Sequence, residues 1–107
     1  MDLYIDTTKP NQTIIKIIEK DGSSAFSQAF QGVGSETLIP HLDKIFEKFP
    51  MKKIGRIFVN SGPGSFTGTR VGVSVANALA FSLKIPVNNL KVGSYAKVKY
   101  EDSKYSK

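Results

Sequence analysis

The chain has no cysteine among its 107 residues, which excludes disulfides, thiolate metal sites and cysteine nucleophiles but leaves the compartment undecided. Its one histidine, His41, cannot form a histidine pair for a metal, and on the flank of its helix it reads as a surface residue. No apolar run approaches the roughly 18 residues of a membrane span, and Met1-Asp2-Leu3-Tyr4-Ile5-Asp6 places no basic region before a long apolar one. The cytoplasm is the expected location, with no membrane partner. Phosphate-loop spacings are lacking too. The place that a Walker loop reserves for its second glycine holds Thr67 when counted from Gly62 and Thr69 when counted from Gly64, and no lysine follows. A dinucleotide fingerprint needs glycine at position 67, and Gly68 comes one residue late.

What remains is a globular composition, 40% hydrophobic, and a length that makes one domain. A chain of this size buries somewhat under ~70% of its unfolded surface, enough for a modest core. Fifteen lysines and arginines against 9 acidic residues give a net charge of +6, with Lys91, Lys97, Lys99, Lys104 and Lys107 thickening it toward the C-terminus. Such charge can assist nucleic-acid binding through counterion release. No aromatic or arginine pattern accompanies the lysines, so they read first as a solvated tail.

Residues 3–6 read as a strand, and Lys9-Pro10-Asn11-Gln12 as a turn into a second strand over 13–20. Ile14, Ile15, Ile17 and Ile18 put apolar groups on both faces of that strand, which predicts cover on both sides. Asp21-Gly22 signals a hairpin into a third strand, 24–30, with Phe26, Gln28 and Phe30 on one face. Ser35 is placed to cap a helix that carries Leu38, Leu42, Ile45, Phe46 and Phe49 on one face. Pro40 predicts a kink or a helix start shifted to Ile39. A fourth strand follows at 56–60, a helix at 68–83 and a fifth strand at 86–92. The order β-β-β-α-β-α-β predicts an α/β fold, a mixed five-stranded sheet with helices packed on it, over residues 1–93. Residues 94–107 form a polar, lysine-rich tail expected to fray.

The most informative segment is Ser61-Gly62-Pro63-Gly64-Ser65-Phe66-Thr67-Gly68-Thr69-Arg70-Val71, which follows the apolar Ile57-Phe58-Val59 and opens a long stretch of small and aliphatic residues. It reads as strand, glycine-rich turn and helix start. Gly68, Gly72, Ala76 and Ala80 then recur along one ridge of the helix, while Val71, Val75, Ala78, Leu79 and Ser82 form the stripe expected to pack on the sheet. Gly68 and Gly72 together cost roughly 2 kcal/mol relative to alanine, which predicts that something presses closely on the ridge. Another helix of this domain and another subunit both satisfy that condition.

Three segments resemble the TsaB (YeaZ) family of tRNA threonylcarbamoyladenosine biosynthesis proteins, within the actin-like and sugar-kinase-like ATPase superfamily. Leu3-Tyr4-Ile5-Asp6-Thr7-Thr8 is similar to the family's first strand, which ends in Asp-Thr-Ser or Asp-Thr-Thr. Ser35-Glu36-Thr37-Leu38-Ile39-Pro40 resembles its His-Ser-Glu-x-Leu-x-Pro helix, with Gly34 in place of the usual histidine. Gly62 to Gly72 follows its Gly-Pro-Gly-Ser-Phe-Thr-Gly-x-Arg-x-Gly run, with Val71 in place of a usual isoleucine. The resemblance implies a single ribonuclease H-like lobe. Family members normally have a second lobe, so a naturally one-lobed protein and a piece of a longer one both fit.

The resemblance also implies a role. TsaB proteins are non-catalytic: they pair with a TsaD catalytic subunit and act with a TsaE ATPase to place a threonylcarbamoyl group on an adenosine of tRNA. ATP and metal are then expected on partner subunits, none on this chain, and tRNA contact is indirect. Homodimer and heterodimer alike would form through a bundle of the two helices, the chain pairing with itself when alone. The interface expected on these grounds comprises Ser35, Leu38 and Ile39 of the first helix, Gly64, Phe66 and Thr67 of the turn, and Gly68, Thr69, Arg70, Gly72, Val73, Ala76 and Ala80 of the second helix. Asp6, Thr7 and Thr8 are the weak candidates for binding a cofactor. Actin-like ATPases have glycine within that Asp-x-Gly-Thr segment and this chain has none, so Asp6 reads as a strand-end aspartate bonding the following turn. Ser65 and Thr67 could hold an oxyanion, although Thr67 serves equally as a helix cap. Two alternatives stay open: a small nucleotide-binding phosphotransferase built on Asp6 and the glycine turn, and a tRNA-binding module built on the lysine tail.

Overall fold

Apolar residues at alternate positions in the first two strands define a single core face. The computed structural model describes residues 1–32, 34–64 and 66–99, and for Phe66 the backbone alone. Strand β1 (Asp2–Asp6) lies between two neighbours: β2 (Gln12–Ile18) runs antiparallel with Ile15 opposite Ile5, and a later strand, β4 (Arg56–Val59), runs parallel with Val59 beside Ile5. Strand β3 (Ser24–Gln31) pairs antiparallel with β2 through the Asp21-Gly22 hairpin, giving the order β3-β2-β1-β4. Arg56 fixes the register of β1 on β4 by donating twice to the Asp2 carboxylate, at 3.1 and 2.8 Å.

Helix α1 (Ser35–Lys48) and helix α2 (Phe66–Leu83) both lie on the face that carries Leu3, Ile5, Ile15, Ile17, Ile57 and Val59. Leu38, Leu42 and Ile45, at helical spacing on α1, close one side of the core, and Val73, Ala76 and Ala80 of α2 close the other. Each fully buried isoleucine stabilises the fold by about 1.5–3 kcal/mol. The predicted cover on both faces of β2 is corrected: Ile15 and Ile17 are buried, but Ile14 and Ile18 stay part-exposed beside Tyr4 and Lys16, because both helices occupy one side.

Helix α1 starts differently from the expectation. Gly34, not Ser35, is the N-cap; its carbonyl accepts from the N–H groups of Thr37 and Leu38, both at 2.9 Å, and no side chain caps the helix. Pro40 neither moves the start nor ends the helix, which continues to Lys48. A single 3-10 turn, Met51–Lys53, leads on to β4.

The predicted fifth strand is also corrected. Val87 makes one parallel bridge to Ile57, and there the pairing stops. Asn88 and Asn89 both turn left-handed, with φ of 52° and 59°, which swings the chain off the strand path. The Asn88 side chain replaces the missing ladder: its Oδ1 accepts from the Val59 N–H at 2.8 Å and its Nδ2 donates to the Val59 carbonyl at 3.1 Å. The sheet is therefore a four-stranded mixed sheet. Residues 94–99 pack back on the domain. Ala96 is buried and exchanges two hydrogen bonds with the Asn77 side chain, and the Lys99 N–H donates to the Ser61 carbonyl at 2.7 Å. The remainder of the expected tail, 100–107, lies outside the described residues.

Candidate functional site

The parallel pairing of β1 and β4 brings their C-terminal ends together, the place in an open α/β sheet where ligand sites form. Asp6 closes that end. Its Oδ1 accepts from the Thr8 N–H at 2.8 Å and the Thr8 hydroxyl at 2.6 Å, while Asn60 donates to Oδ2 at 3.1 Å. Burial alone would raise the Asp6 pKa, but these hydrogen bonds from Thr8 and Asn60, with the Lys9 charge, outweigh it and hold the carboxyl below its ordinary range. A carboxylate so held is a weak base at neutral pH. Tyr4 stands beside it, its phenol pushed up by burial and then by the Asp6 charge. The reading of Asp6 as a strand-end aspartate bonded to its own turn is what the geometry shows.

The glycines of the turn are occupied by this chain itself. Gly62 has φ of 104°, and a side chain there would meet the Lys99 carbonyl oxygen at 2.7 Å. A Cβ on Gly64 would lie 2.6 Å from the Thr8 carbonyl oxygen. Thr7, fully buried, donates its hydroxyl to the Gly68 carbonyl at 2.5 Å and fills the space that a Gly72 Cβ would need. The close approach predicted by the small ridge exists, but the partner is β1's own continuation, Thr7 and Thr8, passing over the first turns of α2.

This corrects the assignment of the faces of α2: the small-residue ridge lies inward, Val71, Val75 and Leu79 of the aliphatic stripe are partly buried against the core as expected, and Ala78 and Ser82 are exposed. Gly68, Gly72, Ala76 and Ala80 are buried against the chain's own sheet together with Thr69 and Val73, and Leu38 is buried in the core. These seven expected interface residues present no surface to a partner. Ser35, Ile39, Gly64, Thr67 and Arg70 do. Thr67 is the second residue of α2 rather than its cap, Ser65 lies outside the described residues, and so does the Phe66 side chain.

The outward arc of α2 instead carries Thr67, Arg70, Ser74, Ala78 and Phe81, with Val71 and Val75 part-exposed beside them. Phe81 is 79% exposed, and Ile39 on α1 is 47% exposed. Two grooves mark this face: one of ≈ 400 Å³ between Ser35, Thr67, Arg70, Val71, Ser74 and Val75, and one of ≈ 310 Å³ where Ile39, Leu42, Asp43 and Phe46 of α1 face Val75, Ala78 and Leu79 of α2. Spacing analysis missed Ala78 and Phe81 as surface. The signal was present: Arg70 shares their arc, and a charged side chain is almost never fully buried unless paired.

A model of the family described as TsaD, tRNA N6-adenosine threonylcarbamoyltransferase, matches residues 33–97. The chain belongs to this family. It is also similar to proteins named tRNA threonylcarbamoyladenosine biosynthesis protein TsaB. With TsaB of Bacillus subtilis it is 51% identical over 35 residues, covering 33% of this chain and 15% of that protein. With the tRNA N6-adenosine threonylcarbamoyltransferase of Carboxydothermus hydrogenoformans it is 42% identical over 52 residues, 49% of this chain and 16% of that one. The fold is that of YeaZ from Pseudomonas aeruginosa, with a TM-score of 0.72 at 24% identity over 84% of this chain and 44% of that structure. The chain thus spans less than half the length of these relatives.

Proposed function

We propose that this chain serves tRNA threonylcarbamoyladenosine biosynthesis as a non-catalytic pairing lobe, docking a TsaD-like catalytic subunit through the outward face of α1 and α2. The observation that carries this reading is that face itself: two adjacent grooves flanked by exposed Ile39 and Phe81, on helices whose inner sides are already committed to the core. A further observation supports it: the Asp6 carboxylate and the glycine turn are engaged by Thr8, Asn60, Thr7 and Lys99 of the chain itself.

On this reading the chemistry, the ATP and the metal belong to TsaD-like and TsaE-like partners, and tRNA reaches this chain only through the complex. Alone, the chain pairs with a second copy through the same helices. The setting is the cytoplasm, and no helix among the described residues is long and apolar enough to cross a membrane. The test is reconstitution of threonylcarbamoyladenosine formation from a TsaD-like subunit, a TsaE-like ATPase and tRNA, with and without this chain. Modified adenosine is expected to rise when the chain is added, and an unchanged yield would remove the assignment.

A further inference from the structure

Strand β3 ends the sheet, and its outer edge is free of any described strand. Sheet edges are usually blunted by lysine, proline or an inward charge. The eight residues of Ser24–Gln31 contain none of these, and the one pairing irregularity, where Ile17 faces Phe26 and Ile18 faces Ser24, leaves the run from Phe26 to Gln31 in regular register. Beneath the edge lies a groove of ≈ 320 Å³ whose floor is aromatic, with Phe26 and Phe30 from β3 and Phe49 from the end of α1. The Phe26 and Phe49 rings are 6.2 Å apart, and His41 stacks on Phe30 at 3.7 Å. Its outer wall is basic: Lys44 and Lys48 line it, no carboxylate does, and neither lysine forms an ion pair among the described residues.

We propose that the β3 edge and this groove dock an extended segment of another protein, one whose groove-facing side chains are apolar and acidic, added as a further strand beside β3. Main-chain hydrogen bonds to the open edge supply affinity, and alternate side chains reaching the groove supply specificity. Apolar groups cover Phe26, Phe30 and Phe49, and carboxylates meet Lys44 and Lys48. A second copy of this chain is the poorer occupant, since it would set another Lys44 and Lys48 against these and bring its own net charge of +6. The site uses the flank of α1 opposite Ile39, Asp43 and Phe46, so it is separate from the pairing face and independent of the function proposed above.

The experiment titrates the full chain, by fluorescence anisotropy, against synthetic peptides of β3's length in which every second residue, the set that faces the groove, is phenylalanine, valine or glutamate and the intervening residues are threonine. Saturable binding is expected, weakening as salt rises and lost when alternate peptide amides are N-methylated. The paired exchange Lys44→Glu with Lys48→Glu, checked for native circular dichroism, is expected to weaken binding about tenfold or more and to recruit the peptide in which lysine replaces glutamate. No binding by the glutamate peptides, equal binding of the lysine peptide to the unaltered chain, or a dimer cross-linked through β3 would each overturn the proposal.

Discussion

Thr7 and Gly72 occupy one space: the threonine hydroxyl, anchored on the Gly68 carbonyl, stands where any side chain on residue 72 would begin. Because Thr7 is fully buried and Gly72 lies in the second turn of α2, neither can move aside without lifting β1's continuation from the helix. Gly72→Ala is therefore expected to lower stability by about 1–3 kcal/mol, the usual cost of overpacking. Removing the obstruction with Thr7→Ala in the same chain should recover part of that loss. Urea unfolding of both single variants and the double variant tests this, and strictly additive losses would show that the two residues do not meet. Gly72→Leu, for the same reason, reports on the fold and not on pairing.

The Asp6 network sets a pH dependence whose sign follows from its hydrogen bonds. The folded carboxyl titrates below its ordinary value of 3.8, so its contribution to stability is complete above that value and is lost as pH falls through the lower, folded one. Asp6→Asn keeps the shape but cannot accept from Thr8 and Asn60 as a carboxylate does. The melting-temperature gap between the two proteins should be widest near neutrality and close as pH drops below 3.8. A gap that is constant from neutral to strongly acidic pH would mean that the ionised carboxylate contributes nothing.

Strand β1 and helix α1 were legible because each carries an unambiguous period: Leu3 and Ile5 alternate, and Leu38, Leu42 and Ile45 recur at helical spacing. What failed depended on tertiary position. Spacing showed that α2 has a small-residue stripe and a large-aliphatic stripe, but Thr7 and the sheet decide which one is buried, and Thr7 is remote from α2 in sequence. The fifth strand failed for a local reason. Pro86-Val87-Asn88-Asn89 has one good strand residue before two asparagines that accept left-handed φ, and Asn88 satisfies Val59 with its side chain instead of its backbone. Asp6 was read correctly because its partner Thr8 lies two residues away, within reach of a local turn.

The pairing face should be separable from the fold. Ile39 and Ala78 are both exposed and line the same groove, so a charge at either one costs the isolated chain little. In a complex that covers the groove, the same charge would be buried without a partner. Ile39→Asp and Ala78→Glu are each expected to weaken association with a TsaD-like subunit about tenfold or more, while circular dichroism and melting stay native. Measured by co-elution or calorimetry, unchanged association for both variants would show that the partner sits elsewhere.

Thr69 offers a test in the opposite direction. It is 1% exposed, and its hydroxyl has no hydrogen-bond partner among the described residues, so folding strips it of water without compensation. Its methyl is placed well, 3.5 Å from the position of a Cβ on Gly62, where it helps to fill the space under the glycine turn. Thr69→Val keeps that methyl and replaces the orphaned hydroxyl by another, which should raise stability by about 1 kcal/mol. Thr69→Ser keeps the hydroxyl and loses the methyl, which should lower stability by a similar amount, about 1 kcal/mol. Chemical denaturation of the pair decides the matter: if valine destabilises and serine does not, the hydroxyl is bonded in solution and the turn is arranged differently around it.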